Sequence, residues 1–436
     1  MSWVSSAGGR RFLGSLGSVV PPVLALVGLV IVAIGTAALF GGNVNVGAGP
    51  ANPGPHVPAP GVVRTPAPSN VVIAEPQPTL PGALVYAKAG NIWVQRGDSV
   101  IQITTSGTAS MPAWAPDGQS VVYVETTAEQ GLFPSQGRDH RYRMDVPRLM
   151  RIRADGSGAP ELLADGGFTD GRYRWHYWLR QPTVSPDGRT IALMSDAPNP
   201  NRGDVVLQLL DLATGELTKP DLPLTEPLGH QDPAWRPDGA AIVYTRNERD
   251  GARGAPTLMR FMLETGRAVR VAGPGYSSAD YSPDGGYIAA TKTDGLGTDV
   301  VILDASTGTE LVRLSDDDRS WAPVWSPRGD AVAFLHIDSG IVDLRMVELT
   351  GSAPTWTLGE AVPLTHVSGL DAASRPDWFI PPEQLPAPTP PPSSPAASSI
   401  APGSPPAVSA PASVSAPASI PAPSSPSPVA PSASAR

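Results

Sequence analysis

The stretch PAWAPDG at Pro112–Gly118 returns as PTVSPDG at Pro182–Gly188, PAWRPDG at Pro233–Gly239, SADYSPDGG at Ser278–Gly286 and PVWSPRG at Pro323–Gly329. Each copy runs into a short β-branched segment, so the chain is an internal repeat, and a repeat of this length fixes architecture before any single element does. The chemistry inside each copy is that of a turn. Proline presets φ at the second turn position, aspartate accepts from neighbouring amides, and glycine takes the positive φ that ends the turn.

The copy at Pro233 displays the whole unit. An extended PAWR is followed by the turn, then by strands expected at Ala241–Thr245, Leu258–Leu263 and Ala268–Val271, the last two joined through Thr265-Gly266. Four strands with three turns make one antiparallel sheet. The glycine turn between third and fourth strands recurs at Gly97, Gly156 with Gly158, Gly215, Gly266, Gly308 and Gly351, six times against five clear openings. The missing opening is supplied by Arg375-Pro376-Asp377-Trp378-Phe379, while the block begins in mid-unit with strands expected at Ala83–Tyr86, Asn91–Gln95 and Ser99–Ile103. Pairing the C-terminal strand with these three closes a ring of six four-stranded sheets, an all-β six-bladed propeller. The turn prolines stand 70, 51, 46 and 44 residues apart from Pro116 to Pro327, so the first blade carries an insertion, placed at Thr126–Val146 with a further long connection at Gly166–Gln181.

Outside residues 81–380 the composition changes. Of the 52 prolines many crowd into 41–80 and 381–436, where charges and large apolar side chains are scarce, and such segments cannot offset the entropy of ordering. They read as a Pro-rich linker and a disordered Pro/Ala/Ser tail suited to O-glycosylation or to threading a wall layer. Residues 19–40, VVPPVLALVGLVIVAIGTAALF, carry no charge, and at helical rise they span roughly 33 Å, enough for a bilayer core. The run is longer than the apolar region of a cleaved signal peptide, the competing reading, which makes an uncleaved transmembrane anchor the expectation. Arg10 and Arg11 precede it within a cytoplasmic segment 1–18, and no charge follows until Arg64, so the propeller is expected outside the cytoplasm of a single-pass membrane protein.

Net charge is −9; the segments outside the propeller block contribute +2, so the block itself is at −11, which argues against nucleic acid as a partner. There is no cysteine, hence no disulfide, thiol nucleophile or thiolate metal site. The six histidines are scattered without ligand spacing, and no GxSxG elbow, P-loop or dinucleotide fingerprint is present. No catalytic residue, cofactor or metal is therefore expected. Asp117, Asp187, Asp238 and Asp284 belong to the turns, and Trp114, Trp235 and Trp325 recur at a packing position between blades. Asp316-Asp317-Asp318 offers oxygen ligands that Ca²⁺ could use, although adjacent acids in a loop are commonly just solvated.

One stretch breaks the repeat. Arg172, Tyr173, Arg174, Trp175, His176, Tyr177 and Trp178 concentrate arginine and aromatic rings in an expected loop, and Arg138, His140, Arg141 and Tyr142 add to them from the insertion. These residue types dominate interface energetics, so the two groups form the candidate binding patch, basic and aromatic on an acidic domain. The competing reading folds the stretch back as local core.

The PxWSPDG opening, the β-branched strand after it and the NIWV third strand at Asn91–Val94 resemble the TolB-like six-bladed β-propeller family with its WD40-like PD40 repeat, over roughly residues 83–380. The resemblance implies a protein-binding platform of the cell envelope. The chain departs from the TolB pattern in having no obvious globular domain ahead of the propeller, and an anchor and proline tail instead. Two other functions fit the same architecture: a glycan-binding or glycan-processing propeller of the cell wall, and a propeller gating a separate peptidase.

Overall fold

Each PDG turn does what its residues dictate. The Asp117 carboxylate accepts from the Gln119 amide at 2.9 Å, and Asp187, Asp238 and Asp284 repeat that bond with Arg189, Ala240 and Gly286. The turn thereby hands the chain from an inner strand to the next strand of the same sheet. The structure, a computed structural model, describes residues 80–200, 204–222, 229–247 and 255–385. The expected segments 1–18 and 19–40, all but Leu80 of the expected linker 41–80, and all but residues 381–385 of the expected tail 381–436 lie outside them. Among the described residues no helix is long and apolar enough to cross a membrane.

The chain opens with β1 (Ala83–Lys88), β2 (Asn91–Arg96) and β3 (Ser99–Gln102). Blade I follows as β4 (Ala109–Trp114), β5 (Ser120–Ser135), β6 (Arg138–Arg153) and β7 (Glu161–Asp165), and then a separate hairpin, β8 (Gly167–Asp170) and β9 (Tyr173–His176). Blade II is β10 (Arg180–Val184), β11 (Thr190–Ser195), β12 (Val206–Asp211) and β13 (Leu217–Thr218); blade III is β14 (His230–Trp235), β15 (Ala241–Arg246), β16 (Thr257–Met262) and β17 (Arg267–Ala272). Blade IV is β18 (Tyr276–Tyr281), β19 (Tyr287–Asp294), β20 (Gly297–Asp304) and β21 (Glu310–Arg313). Blade V is β22 (Ser320–Trp325), β23 (Ala331–Asp338) and β24 (Ile341–Thr350), edged by β25 (Thr357–Leu358) and β26 (Val362–Pro363). The final strand, β27 (Asp377–Phe379), joins the first three in the order β27-β1-β2-β3.

Blade VI is thus sewn from both ends of the domain, as the repeat arithmetic requires. Ala83 pairs with Phe379, Leu84 with Trp378 and Val85 with Asp377. The Trp378 indole N–H donates to the Pro81 carbonyl at 2.9 Å, and Gly82 runs so close to Phe379 that a side chain there would strike its carbonyl oxygen. Six sheets in a ring leave no exposed terminal repeat to cap.

The core lies between neighbouring sheets. Ala192, Met194 and Leu207 of blade II meet Trp235, Ile242, Tyr244 and Phe261 of blade III. Ala289, Val300 and Ile302 of blade IV meet Trp325, Val332 and Phe334 of blade V. The repeated tryptophans Trp114, Trp235 and Trp325 are all buried, in the interblade position the sequence indicates. Burying one such ring contributes roughly 2–3 kcal/mol, and Val184 and Tyr281 take the equivalent position in blades II and IV.

In this antiparallel order the PDG turns share one face of the ring, called lower here, with the turns between third and fourth strands. The turns between second and third strands, and the connections between blades, share the upper face. Blade I departs from the common plan on that upper face. Its insertion is not a loop: β5 and β6 remain paired from Ser120↔Arg153 to Ser135↔Arg138 and continue past the sheet as a two-stranded arm.

Candidate binding surface

The arm alternates as a strand with one covered face must. Glu129, Gly131 and Phe133 of β5 pair with Met144, Tyr142 and His140 of β6, and this face carries the buried Met144 and Val146. The opposite face presents Ala128, Gln130, Arg141, Arg143 and Asp145, all exposed. A free two-stranded ribbon is marginal in water. Here the β8–β9 hairpin lies on its apolar face, at the place where the sequence suggests a loop. The pairs Phe168↔Trp175 and Asp170↔Tyr173 close around Gly171-Arg172.

The hairpin is held by specific bonds. Tyr142 Oη donates to the Arg174 carbonyl at 2.6 Å, and Arg174 Nε donates to Glu129 Oε2 at 2.9 Å. Glu129 also receives Arg148 Nη2 at 2.7 Å, so one half-buried carboxylate bridges two arginines. Its bond holds the Arg174 guanidinium above its ordinary range. Arg172 and Tyr173 Oη both reach Asp139, at 3.0 and 3.1 Å. Close approach is possible because residue 131 is glycine: a Cβ there would crowd the side chains of Met144 and Arg174.

The structure therefore brings the two candidate groups together and changes their character. Arg172 and Arg174 are paired with acids, so the patch is less basic than composition suggests. Arg138, His140 and Arg141 are exposed near the arm tip. Tyr142 and Tyr173 are half-buried between arm and hairpin, as are Trp175 and His176, while Phe168 and Tyr177 stack at 4.2 Å. Folding back as a local core thus describes much of the stretch. Trp178 is the exception, 46% exposed, with His176 edge-on at 5.3 Å and the Arg180 guanidinium over its ring. Its backbone is fixed by Asp196, whose carboxylate accepts the Trp178 amide at 2.8 Å and whose pKa is raised by burial.

Asp316-Asp317-Asp318 does not converge on a cation site. Asp316 pairs with Arg313 at 2.8 Å, and Asp317 accepts from Ser320 Oγ at 3.0 Å beside His336. The amides of Asp317 and Asp318 both bond the buried carboxylate of Asp299. Among the described residues no three His, Asp or Glu side chains are grouped to hold a metal.

A second feature escaped the sequence reading. The inner strands carry a bulge at one equivalent position, with left-handed backbone at Met111, Gln181, Asp232, Ser278 and Ala322 and a register shift beside each. Arg375 takes the same place ahead of β27. These residues meet on the ring axis, where Gln181 Nε2 donates to Asp232 Oδ1 at 2.5 Å and Arg375 donates across the channel to the carbonyls of Ala279 and Pro233 at 2.8 and 3.0 Å. Gln181, Asp232 and Arg375 line both the lower cavity of about 200 Å³ and the upper one of about 290 Å³, and so separate the two. Asp280 accepts the Trp325 amide at 2.8 Å and Asp377 the Trp114 amide at 2.7 Å, each linking one inner strand to the next. Burial raises the pKa of Asp232 and Asp280, and pushes Asp377 up to about 6, with Asp280 adding repulsion. The only sequence signal was a polar residue before proline in QPTV, DPAW and RPDW.

No family model matches the chain, and no curated protein matches it. Solved structures do. TolB from Acinetobacter baumannii is similar at 19% identity and a TM-score of 0.49, over 68% of this chain and 66% of that one, just under two-thirds of its length. The putative TolB from Agrobacterium tumefaciens is similar at 18% identity and 0.47, over 70% of this chain and 95% of that one. An oligogalacturonate lyase in complex with manganese is similar at 16% identity and 0.40, over 60% of this chain and 83% of that one. These are likenesses of fold. The blade count rests on the strand pairing itself.

Proposed function

We propose that this protein is a non-catalytic propeller that binds a protein partner outside the cytoplasm, through the upper face that carries the arm and the β8–β9 hairpin. The observation that carries the reading is where the chain departs from its own repeat. Four blades keep to four strands and blade V splits its outer edge into β25 and β26, whereas blade I adds a paired arm, a hairpin to cover it and an exposed Trp178 ringed by His176 and Arg180. Rigid aromatic anchors present contact area at low entropic cost, and Trp178 is held in the connection between β9 and β10 by its amide bond to Asp196. Residues 81–380 are the binding domain in this reading, 19–40 its membrane anchor with the N-terminus cytoplasmic, 41–80 a spacer and 381–436 a tail.

Capture with the full chain from the native envelope tests it. A defined protein partner is expected, and Trp178→Ala is expected to weaken its binding at least about tenfold, the loss of one anchor. Trp175→Ala should weaken binding less, because that ring is half-buried against the arm. Retention on cell-wall polysaccharide with no protein partner would replace this reading with the glycan one, and turnover of a peptide or sugar by the isolated chain would overturn it. Protease protection of the N-terminal segment in intact cells tests the orientation.

A further inference from the structure

The arm has two edges, and their phase can be read from its turn. Gln136-Gly137 forms a two-residue connection with positive φ at both positions, closing on the pair Ser135↔Arg138. In an antiparallel ladder the pairs that exchange both bonds then alternate from that point, through Phe133↔His140, Gly131↔Tyr142, Glu129↔Met144 and Thr127↔Val146. The residues between them turn their backbone groups outward: Ala128, Gln130, Leu132 and Pro134 on β5, and Asp139, Arg141, Arg143 and Asp145 on β6. Two bonds at the base of the arm agree with this phase. The Thr126 amide donates outward to Thr108 at 3.1 Å, and the Pro147 carbonyl accepts outward from Gly166 at 2.9 Å. Beyond these, the outward groups have no backbone partner among the described residues.

The two edges differ. On β5 the row is broken by Pro134, which has no N–H, a common device for blunting an edge. On β6 the row from Asp139 to Asp145 is unbroken. Such an edge is a template for an added strand. The side chains on the same residues select what is added. Arg141 and Arg143 project from one face two residues apart, as a strand requires. Asp139 is engaged by Arg172 and Tyr173, and Asp145 lies 3.8 Å from Arg143. Arg141 has no ion pair among the described residues, and neither has the exposed Arg138 at the turn.

We propose that the β6 edge, Asp139–Asp145, binds an extended acidic segment of a partner protein by strand addition, with carboxylates at alternate positions of the incoming strand facing Arg141 and Arg143. Backbone bonds hold the segment and the arginines set its charge pattern, since opposite charges directly across a strand pair attract and like charges repel. This deepens the upper-face reading and rests on it.

The test uses the full chain and a blocked peptide of about eight residues, a typical strand length, alternating valine with glutamate. Binding is read by fluorescence anisotropy, and residue-resolved hydrogen exchange reports the amides of Arg141 and Arg143. Slowed exchange at those amides is expected, with no binding of the valine–lysine counterpart. Arg143→Pro removes one outward N–H without touching the ladder to β5, and should lower affinity at least about tenfold. Should that variant lose its fold, the double reversal Arg141→Glu with Arg143→Glu, exposed side chains only, carries the test by exchanging preference to the lysine peptide. Unchanged affinity in the folded proline variant or in the double reversal, or protection confined to Trp178, overturns the proposal. Protein-partner capture that survives Arg143→Pro and fails with Trp178→Ala removes strand addition and leaves the upper-face reading standing. Capture indifferent to both variants removes the upper-face reading itself.

Discussion

Blade III and blade I start from the same PAW opening and the same PDG turn, and end as different objects. In blade III the second and third strands stop within the sheet, Ala241–Arg246 and Thr257–Met262, and their apolar residues meet blades II and IV. In blade I the corresponding strands each run 16 residues, past the reach of any neighbour. A strand that outgrows the ring loses the blade that would have covered it. The chain answers with β8–β9, which serves the arm as a neighbouring blade serves an ordinary strand. Conformity to the repeat reports packing, and departure from it marks where the surface differs from blade to blade.

That contrast can be broken at the ring or at the arm. The largest effect is expected on the ring axis. Arg375→Met keeps the side-chain length but leaves the half-buried Asp232, Asp280 and Asp377 without their cation, and removing one partner from such a charge cluster costs up to about 3–5 kcal/mol. Urea denaturation of the whole domain would register it, and a loss no greater than that of an arm variant would contradict the distinction. At the arm, Gly131→Val forces β9 away and should cost about 1–3 kcal/mol of overpacking. Hydrogen exchange should place the damage on residues 127–146 and 167–178, with the six-sheet ring unaffected.

A third experiment uses pH. The raised pKa of Asp377, about 6, means that its proton is bound more tightly in the folded chain than in the unfolded one. The stabilisation from that proton is complete below the unfolded value near 4 and is lost as pH rises through about 6. Asp377→Asn, permanently neutral and still able to accept the Trp114 amide, should therefore gain on the parent by on the order of 2 kcal/mol between those pH values. A parallel pair of stability curves would refute this. The smallest effect belongs to Glu129→Gln. It weakens the bonds to Arg148 and Arg174 at a half-buried site, worth about 1 kcal/mol, and should loosen the hairpin without shifting the unfolding midpoint of the ring.

The ring was legible in the sequence for a physical reason. Four PDG turns, a PRG variant and six hairpin glycines are local chemistry repeated, and the strand boundaries expected around Pro233 nearly coincide with those formed. Even the seam followed from counting, because a missing inner strand must come from somewhere. The candidate surface was legible only as composition. Gly171-Arg172, glycine first, is a hairpin signal in its own right, but the stretch interrupts the repeat and so reads as a loop. The neutralisation of Arg172 and Arg174 was invisible, since their acids lie 33 and 45 residues away in sequence. The axial network was hidden for the same reason: Gln181, Asp232 and Arg375 come from three different copies of the repeat and meet only once the ring is closed.

The seam between β1 and β27 has a temporal meaning as well. Pro81 and Trp378, which share a hydrogen bond, stand 297 residues apart, so during synthesis β1 waits with one side bare until almost the entire domain has been made. Five blades can mature while the sixth remains three strands wide. The strand that closes the ring is the last one made, and until it docks the nascent protein carries an unpaired border on β1.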